Sequence, residues 1–319
     1  MIDIHQHMVP ETFRLAALAA GRGATLRRGF PPWSPKLAFE LMDRQGIATA
    51  ILSISQPGVH FGDDAQARTL ARGCNELAAQ CMADYPGRFG GFATLPLPDV
   101  AGACAEVRHA LDHLQLDGVC LLANYDGVYL GDPTFEPVFQ ELDERGAVVF
   151  IHPSLHPGSR ALDIGLPPMA LEFPFDTTRA ALQLIQRRHL QRYPRLRIIL
   201  AHAGGTLPFL AWRLEMAVAM DSEAMVVGTP EIRDGLRRFW YDTALSSGFG
   251  SMRALSAIAD PGRIVFGSDW PYGNDAVVAR SQQALHANAD LNPGQRAAIA
   301  RGNALSLFPR LGDVSVNEA

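Results

Sequence analysis

The sequence is short of cysteine, of basic charge and of long apolar runs, and each shortage excludes something. Its four cysteines, Cys74, Cys81, Cys104 and Cys120, form no C-x-x-C pair in 319 residues. A chain of this size buries enough surface to fold without disulfide staples, so reduced thiols and a cytoplasmic location are expected. Lys and Arg total 28 against 33 Asp and Glu, a net charge of −5. The basic clusters "RRGF" and "QRRHLQRYPRLR" are short, and the second reads as the polar end of a helix running into a strand. No basic stripe suited to a nucleic-acid partner is present. No apolar run reaches the roughly 18 residues that a membrane helix needs. No charged-then-apolar leader precedes the first strand, so no signal peptide is expected. What remains is an ordinary globular composition, 48% hydrophobic, with ample material for a core.

Short β-rich runs alternate with longer amphipathic segments along almost the whole chain. Strands are read at "MIDIHQ", "ATAILSIS", "RFGGFATL", "DGVCLLAN", "AVVFIHP", "LRIILAHA", "FWYDTA" and "RIVFGSD". Several are continuous apolar runs, the pattern of parallel strands covered on both faces. In "AQARTLARGCNELAAQCMADYP", Leu70, Cys74, Leu77 and Cys81 recur at three- and four-residue steps and predict one buried helical face. "AGACAEVRHALDHLQL" predicts a second helix. Gly or Pro punctuates the junctions "YPGRF", "ERGAVV", "YPRLR" and "DPGRI". Strand–helix units in this number predict an α/β protein of the (β/α)8 TIM-barrel class, one domain over residues 1–319. A doubly wound sheet would not need so many units, and no G-x-G-x-x-G follows the first strand. The Pro-rich stretch "HPGSRALDIGLPPMALEFPFDTT" is expected to be a long loop from Leu155 to Asp176, serving as a lid or a subunit contact.

In such a barrel the active site lies at the C-terminal ends of the strands. His5 and His7 end the first predicted strand, His152 the fifth and His202 the sixth, and Asp269 follows the eighth. Side chains at i and i+2 share one face of a strand. His5 and His7 are therefore expected to point one way, and Ile2 and Ile4 the other. A metal needs ligands converging from several elements, and His152 and Asp269 supply them from strands five and eight. Three imidazoles and a carboxylate suit Zn²⁺ first; Mn²⁺, Fe²⁺ and Co²⁺ are compatible, and Mg²⁺ is disfavoured by the nitrogen content. A position left for water or substrate would make the site catalytic. A single strand-end histidine is more often a hydrogen-bonded structural residue, but five such residues at one rim argue for a site. His60 and His156, in the loops after strands two and five, lie on the same rim and within reach of a substrate. His109, His113 and His189 fall in helices and are expected on solvated faces.

The stretches "IDIHQH", "VFIHP", "LAHAGGTLPFLAWRLE", "FWYDTA", "VFGSDWPY" and "GNALSLF" together resemble a branch of the amidohydrolase superfamily. The branch is typified by aminocarboxymuconate semialdehyde decarboxylase and includes γ-resorcylate and 6-methylsalicylate decarboxylases. The resemblance runs from Ile2 to about Leu311. It implies a barrel with one divalent metal and no organic cofactor. The implied ligands are His5, His7, His152 and Asp269, with His202 as a catalytic histidine. The binuclear members of the superfamily use a carboxylated lysine at the end of strand four; "GVCLLANYDG" has none, which implies a mononuclear site. "LPPMALEFPFDTTRAA" resembles the salicylate-type decarboxylases most closely. In the muconate semialdehyde enzyme an arginine eleven residues after the catalytic histidine reaches a neighbouring subunit's site. Arg213 matches it, which implies a homodimer or higher homo-oligomer. That enzyme also binds a substrate carboxylate with an arginine upstream of the tryptophan that matches Trp33. Arg27 and Arg28 lie near that position but out of register.

The implied activity is non-oxidative decarboxylation of a small aromatic or unsaturated carboxylic acid of hydroxybenzoate type. His202 or Asp269 would deliver the proton. Phe30, Trp33, Phe173, Phe175 and Trp270 are candidate walls for a planar substrate. Two other readings compete. One is a hydrolase or hydratase acting on a lactone, ester or enol acid at the same metal. The other is a non-catalytic barrel that binds no metal.

Overall fold

The computed structural model describes residues 1–23, 29–223 and 225–312; Arg27 and Arg28 lie outside the described residues. Eight strands, each parallel to the next, run β1 (Ile2–His7), β2 (Thr49–Ser53), β3 (Phe89–Thr94) and β4 (Gly118–Leu122), then β5 (Val148–His152), β6 (Arg197–Leu200), β7 (Trp240–Asp242) and β8 (Ile264–Val265). The segment carrying β8 closes the circle onto β1. Ile4 N donates to Phe266 O at 3.0 Å, Asp269 N to His5 O at 2.8 Å and His7 N to Trp270 O at 2.7 Å. The (β/α)8 barrel is thus formed, with every predicted strand at its predicted place.

Helices cover the outside because local signals start and stop them there. Ser34 caps the helix Pro35–Gln45 by accepting from Leu37 N, Pro35 takes its first turn and Gly46 ends it in the left-handed conformation. Asp63 caps Asp64–Asp84 in the same way. That helix turns Ala67, Ala71, Cys74, Ala78 and Cys81 to the barrel, while Leu70 and Leu77 flank the contact. Small side chains let the helix approach β3 closely, so the buried face is rotated from the one that the leucines predict.

The interior of the barrel holds its own cluster, including Ile2, Ile4, Phe92, Phe150 and Ile199, plugged at the N-terminal end by Leu307, Phe308 and Leu311. Here one expectation is corrected. Ile2 and Ile4 do not face away from His5 and His7, because the β1–β2 register slips: Asp3 pairs with Ala50 but Gln6 with Leu52. Ile4 and His5 together oppose Ile51, a β-bulge that inverts the alternation partway along the strand. Both isoleucines and both histidines therefore point into the barrel, the first pair at its floor and the second at its mouth.

Two further expectations change. The stretch after β5 is not one loop: it forms short 3₁₀ turns at Pro157–Leu162 and Pro168–Ala170, and Phe173 and Phe175 belong to the helix Glu172–Gln186. Pro174 is tolerated because the first turn of a helix leaves its N–H groups without helical partners. His189 is not solvated; it is buried against Phe139 and Tyr193. The four cysteines are unpaired. Among the described residues no helix is long and apolar enough to cross a membrane.

Candidate metal centre

The five rim residues meet at the mouth of the barrel. His5 and His7 come from the end of β1, His152 from the last position of β5, His202 from the turn after β6 and Asp269 from the segment after β8. His5 Nε2 lies 3.0 Å from His7 Nε2. Asp269 Oδ1 lies 3.3 Å from the first of these nitrogens and 3.1 Å from the second. One donor atom from each of His5, His152, His202 and Asp269 falls within 4.8 Å of the others. Ligands at about 2.1 Å from one ion, with angles between square and tetrahedral, stand about 3.0–3.4 Å apart. The His5–His7–Asp269 triangle has edges of that length.

The hydrogen bonds behind the imidazoles decide which nitrogen faces inward. His5 Nδ1 donates to Asp242 Oδ2 at 2.6 Å, and His152 Nδ1 to Pro153 O at 2.8 Å. Ser53 Oγ gives its own proton to Gln6 O and accepts from His7 Nδ1 at 2.9 Å. Each Nδ1 thus carries the proton, and three bare Nε2 lone pairs converge. That arrangement of outer partners is the one that orients metal-binding histidines. His202 differs, since neither ring nitrogen has a hydrogen-bond partner and Nε2 stands 3.7 Å from Asp269 Oδ2.

The backbone is bent to achieve this. His202, Ala203 and Asp269 have φ of 55°, 57° and 63°, left-handed values that non-glycine residues seldom adopt. Asp242 Oδ1 helps hold the first of these bends by accepting His202 N at 2.9 Å. Two glycines make room. A Cβ on Gly205 would lie 2.0 Å from Pro174 O, and one on Gly267 would lie 2.7 Å from the His5 Cβ. The second close approach is what lets β8 bring Asp269 against β1.

Charge and burial oppose each other throughout the cluster. Burial alone would depress His5, but Asp242 and Asp269 on either side overcome it and push its pKa up to about 10. Burial pushes His7 down to about 4, against the pull of Asp269. His152 falls well below its ordinary value through burial and the neighbouring imidazoles. Burial opposes ionisation of Asp269, yet the imidazoles of His202, His5 and His7 that face it hold its carboxyl well below the usual range. Two carboxylates facing a ring of imidazoles favour positive charge at this point, as a proton on His5 or as a bound cation.

Beside the cluster is a narrow cavity of 30 Å³, lined by Ser55, Gln56, Met169, Phe173 and Tyr272 with His152, His202 and Asp269. Of the aromatic walls expected from the sequence, Phe173 is there, its ring centroid 6.3 Å from that of His152. Trp270 turns into the core, and Tyr272 two residues later faces the cavity, 5.5 Å from the His7 ring. Phe30 packs on Phe13 and Trp33 on the outer core. His60 and His156 line a separate outer cavity, where His60 bonds Asp64 at 2.8 Å. Arg213 is exposed on the helix Leu207–Met220, far along the chain from these walls. The sequence reading missed Asp242, Ser53, Gln56 and Tyr272. Asp242 was open to discovery, because it ends β7 at the same rim. The only lysine of the chain, Lys36, is exposed on an outer helix, so no carboxylated lysine bridges a second metal here.

The amidohydrolase family model matches residues 2–310. The chain is 40% identical over 325 residues to the 6-methylsalicylic acid decarboxylase acuB of Aspergillus aculeatus, covering 99% of this chain and 98% of that one. It is 37% identical over 314 residues to the 6-methylsalicylic acid decarboxylase of Penicillium expansum, covering 97% and 96%. Among solved structures it resembles the dihydroxybenzoic acid decarboxylase of Polaromonas sp. JS666, determined with bound manganese and 2-nitroresorcinol. That match has a TM-score of 0.82 at 26% identity and covers 97% of this chain and 96% of the other. The chain belongs to the amidohydrolase family.

Proposed function

We propose that this protein is a metal-dependent non-oxidative decarboxylase, a carbon–carbon lyase acting on a hydroxybenzoate-type acid. The observation that carries this reading is the convergence of three lone-pair-bearing imidazoles and Asp269 beside a small cavity walled by Phe173 and Tyr272. The names of the two decarboxylase relatives described above support the same chemistry. His5, His7, His152 and Asp269 would hold one divalent ion. The ligand set by itself suits Zn²⁺; the manganese in the similar Polaromonas structure favours Mn²⁺. When bound, the ion supplies Lewis acidity and a fixed point for the carboxylate and an ortho hydroxyl oxygen.

The protein's own groups would do the rest. Phe173 and Tyr272 hold the ring plane. His202, with both ring nitrogens uncommitted, delivers a proton to the ring carbon that bears the carboxylate. The C–C electron pair then returns to the ring as CO₂ leaves, so the arene gains one proton and loses CO₂. Asp269 is engaged by His5 and His7 and is assigned the role of ligand and counter-charge, not proton donor. The protein is placed in the cytoplasm with its thiols reduced. It is assigned a homodimer through the exposed face of Leu207–Met220 that carries Arg213, Phe209 and Trp212.

The test is metal analysis of purified protein, with a panel of 2-hydroxybenzoates followed for CO₂ release. Stoichiometric metal and CO₂ evolution are expected. Turnover of a lactone with no CO₂ from any acid would point to a hydrolase instead. A stable, metal-free protein with no activity would leave a binding barrel.

A further inference from the structure

The mouth of the barrel is divided in two. Gln56, in the loop after β2, accepts through Oε1 from Leu155 N in the loop after β5, and this bridge spans the opening. On one side is the 30 Å³ cavity with the metal-binding cluster. On the other is a cavity of 440 Å³, above β3 and β4, and Gln56 lines both. The second is much the larger and lies in the range that holds a whole small-molecule ligand. The cluster's histidines and Asp269 do not line this larger cavity.

Its walls are sorted by polarity. Val59, Leu97 and Leu122 lie buried in its floor, and the Tyr125 hydroxyl is turned aside to accept from Leu122 N. The rest of the wall is largely polar and carries Arg22, His60, Asp126 and His156. His156 Nδ1 accepts from Gly158 N at 3.0 Å, which leaves the proton on Nε2 as a donor. His60 is spoken for by Asp64.

We propose that this outer cavity is a substituent subsite. The substrate is an aromatic acid whose ring carries a hydrocarbon chain of several carbons ending in a carbonyl or hydroxyl oxygen. The chain passes Gln56, lies on the apolar floor and sets its oxygen against His156. Gln56 is then a specificity-determining residue, since it fixes the width of the passage. This rests on the decarboxylase reading above for the chemistry of the acid, but not for the cavity.

The experiment uses the metal-loaded full chain and 2-hydroxybenzoates bearing methyl, butyl or 3-oxobutyl groups at C4, C5 or C6. At one ring position, kcat/KM for CO₂ release is expected to be at least tenfold higher for butyl than for methyl, and higher again for 3-oxobutyl. Val59→Trp, which fills the floor, should cut the butyl-to-methyl ratio at least tenfold. His156→Ala should abolish the preference for 3-oxobutyl over butyl. Binding of the corresponding phenols by calorimetry gives the same comparison without turnover and covers a Val59→Trp protein that folds poorly, through His156→Ala alone. Methyl acids turned over as well as or better than the longer ones would overturn the subsite while leaving the decarboxylase standing. No CO₂ from any acid, with chain-bearing phenols still bound preferentially, would overturn the activity and keep the subsite. Equal affinity for all the phenols would overturn it outright.

Discussion

One carboxylate, Asp242, holds both His5 and His202: Oδ2 takes the His5 Nδ1 proton at 2.6 Å and Oδ1 takes the His202 backbone N–H at 2.9 Å. A ligand of the proposed metal and the proposed proton donor therefore share one anchor, at zero solvent exposure. Asp242→Asn keeps the shape but presents an amide whose nitrogen cannot accept. Removal of such an outer partner costs about 10–100-fold in metal affinity. Metal titration of the variant should show at least that loss, together with lower turnover at saturating metal. Unchanged affinity would mean that His5 needs no anchor.

His202 is the one member of the cluster without a fixed ring. Replacing it by Asn should leave metal content near that of the native protein, because the other four residues supply the ligands. Turnover should fall by roughly 10²–10⁴, the usual share of a general acid. Metal analysis alongside CO₂ release separates the two roles. A variant that loses the metal as well would make His202 a ligand.

The barrel was legible because parallel strands buried on both faces leave unmistakable apolar runs, and because functional side chains in a barrel crowd one rim. The cluster was legible for the same reason. The phase of β1 was not. A bulge at Ile4–His5 changes no residue type, so alternation read along the strand puts Ile2 and Ile4 on the wrong side. Trp270 was expected as a wall because it adjoins Asp269, but with Asp269 at a positive φ it turns into the core and Tyr272 lines the cavity instead. His189 looked solvated because helical periodicity does not reveal what packs over a short turn; Phe139 and Tyr193 do.

His189 gives the fold a pH dependence of its own. Its burial, with Arg192 nearby, pushes the imidazole down to about 4, below the roughly 6.5 of an unfolded chain. Between those values the unfolded state binds the extra proton, so stability is full above pH 6.5 and is lost as pH falls toward 4. The loss is on the order of 3 kcal/mol over that window. His189→Leu should remove it, seen as a smaller drop in urea midpoint between pH 7 and pH 4.5 than in the native chain. Any loss from the histidines at the barrel mouth is common to both proteins and cancels. Parallel curves for the two proteins would show that the buried imidazole is protonated without penalty.

The last prediction concerns assembly. Phe209, Trp212, Met216 and Met220 follow one another at three- and four-residue steps on the helix Leu207–Met220, and Phe209 and Met220 are 84% and 87% exposed. They line a shallow cavity of 450 Å³ together with Arg213. Contiguous apolar surface of this kind on a folded chain marks a contact site, and a second copy would cover it. Trp212→Glu and Met220→Glu together place two like charges within that contact and should give a monomer in sedimentation velocity at micromolar concentration. Arg213→Ala tests the rest of the assignment, since it removes the guanidinium and leaves the aromatic and methionine side chains in place. It should still sediment as the dimer but show a raised KM for the acid, as expected if the guanidinium reaches the partner's site. A native chain that sediments as a monomer would remove the homodimer, and with it any role for Arg213 across the interface.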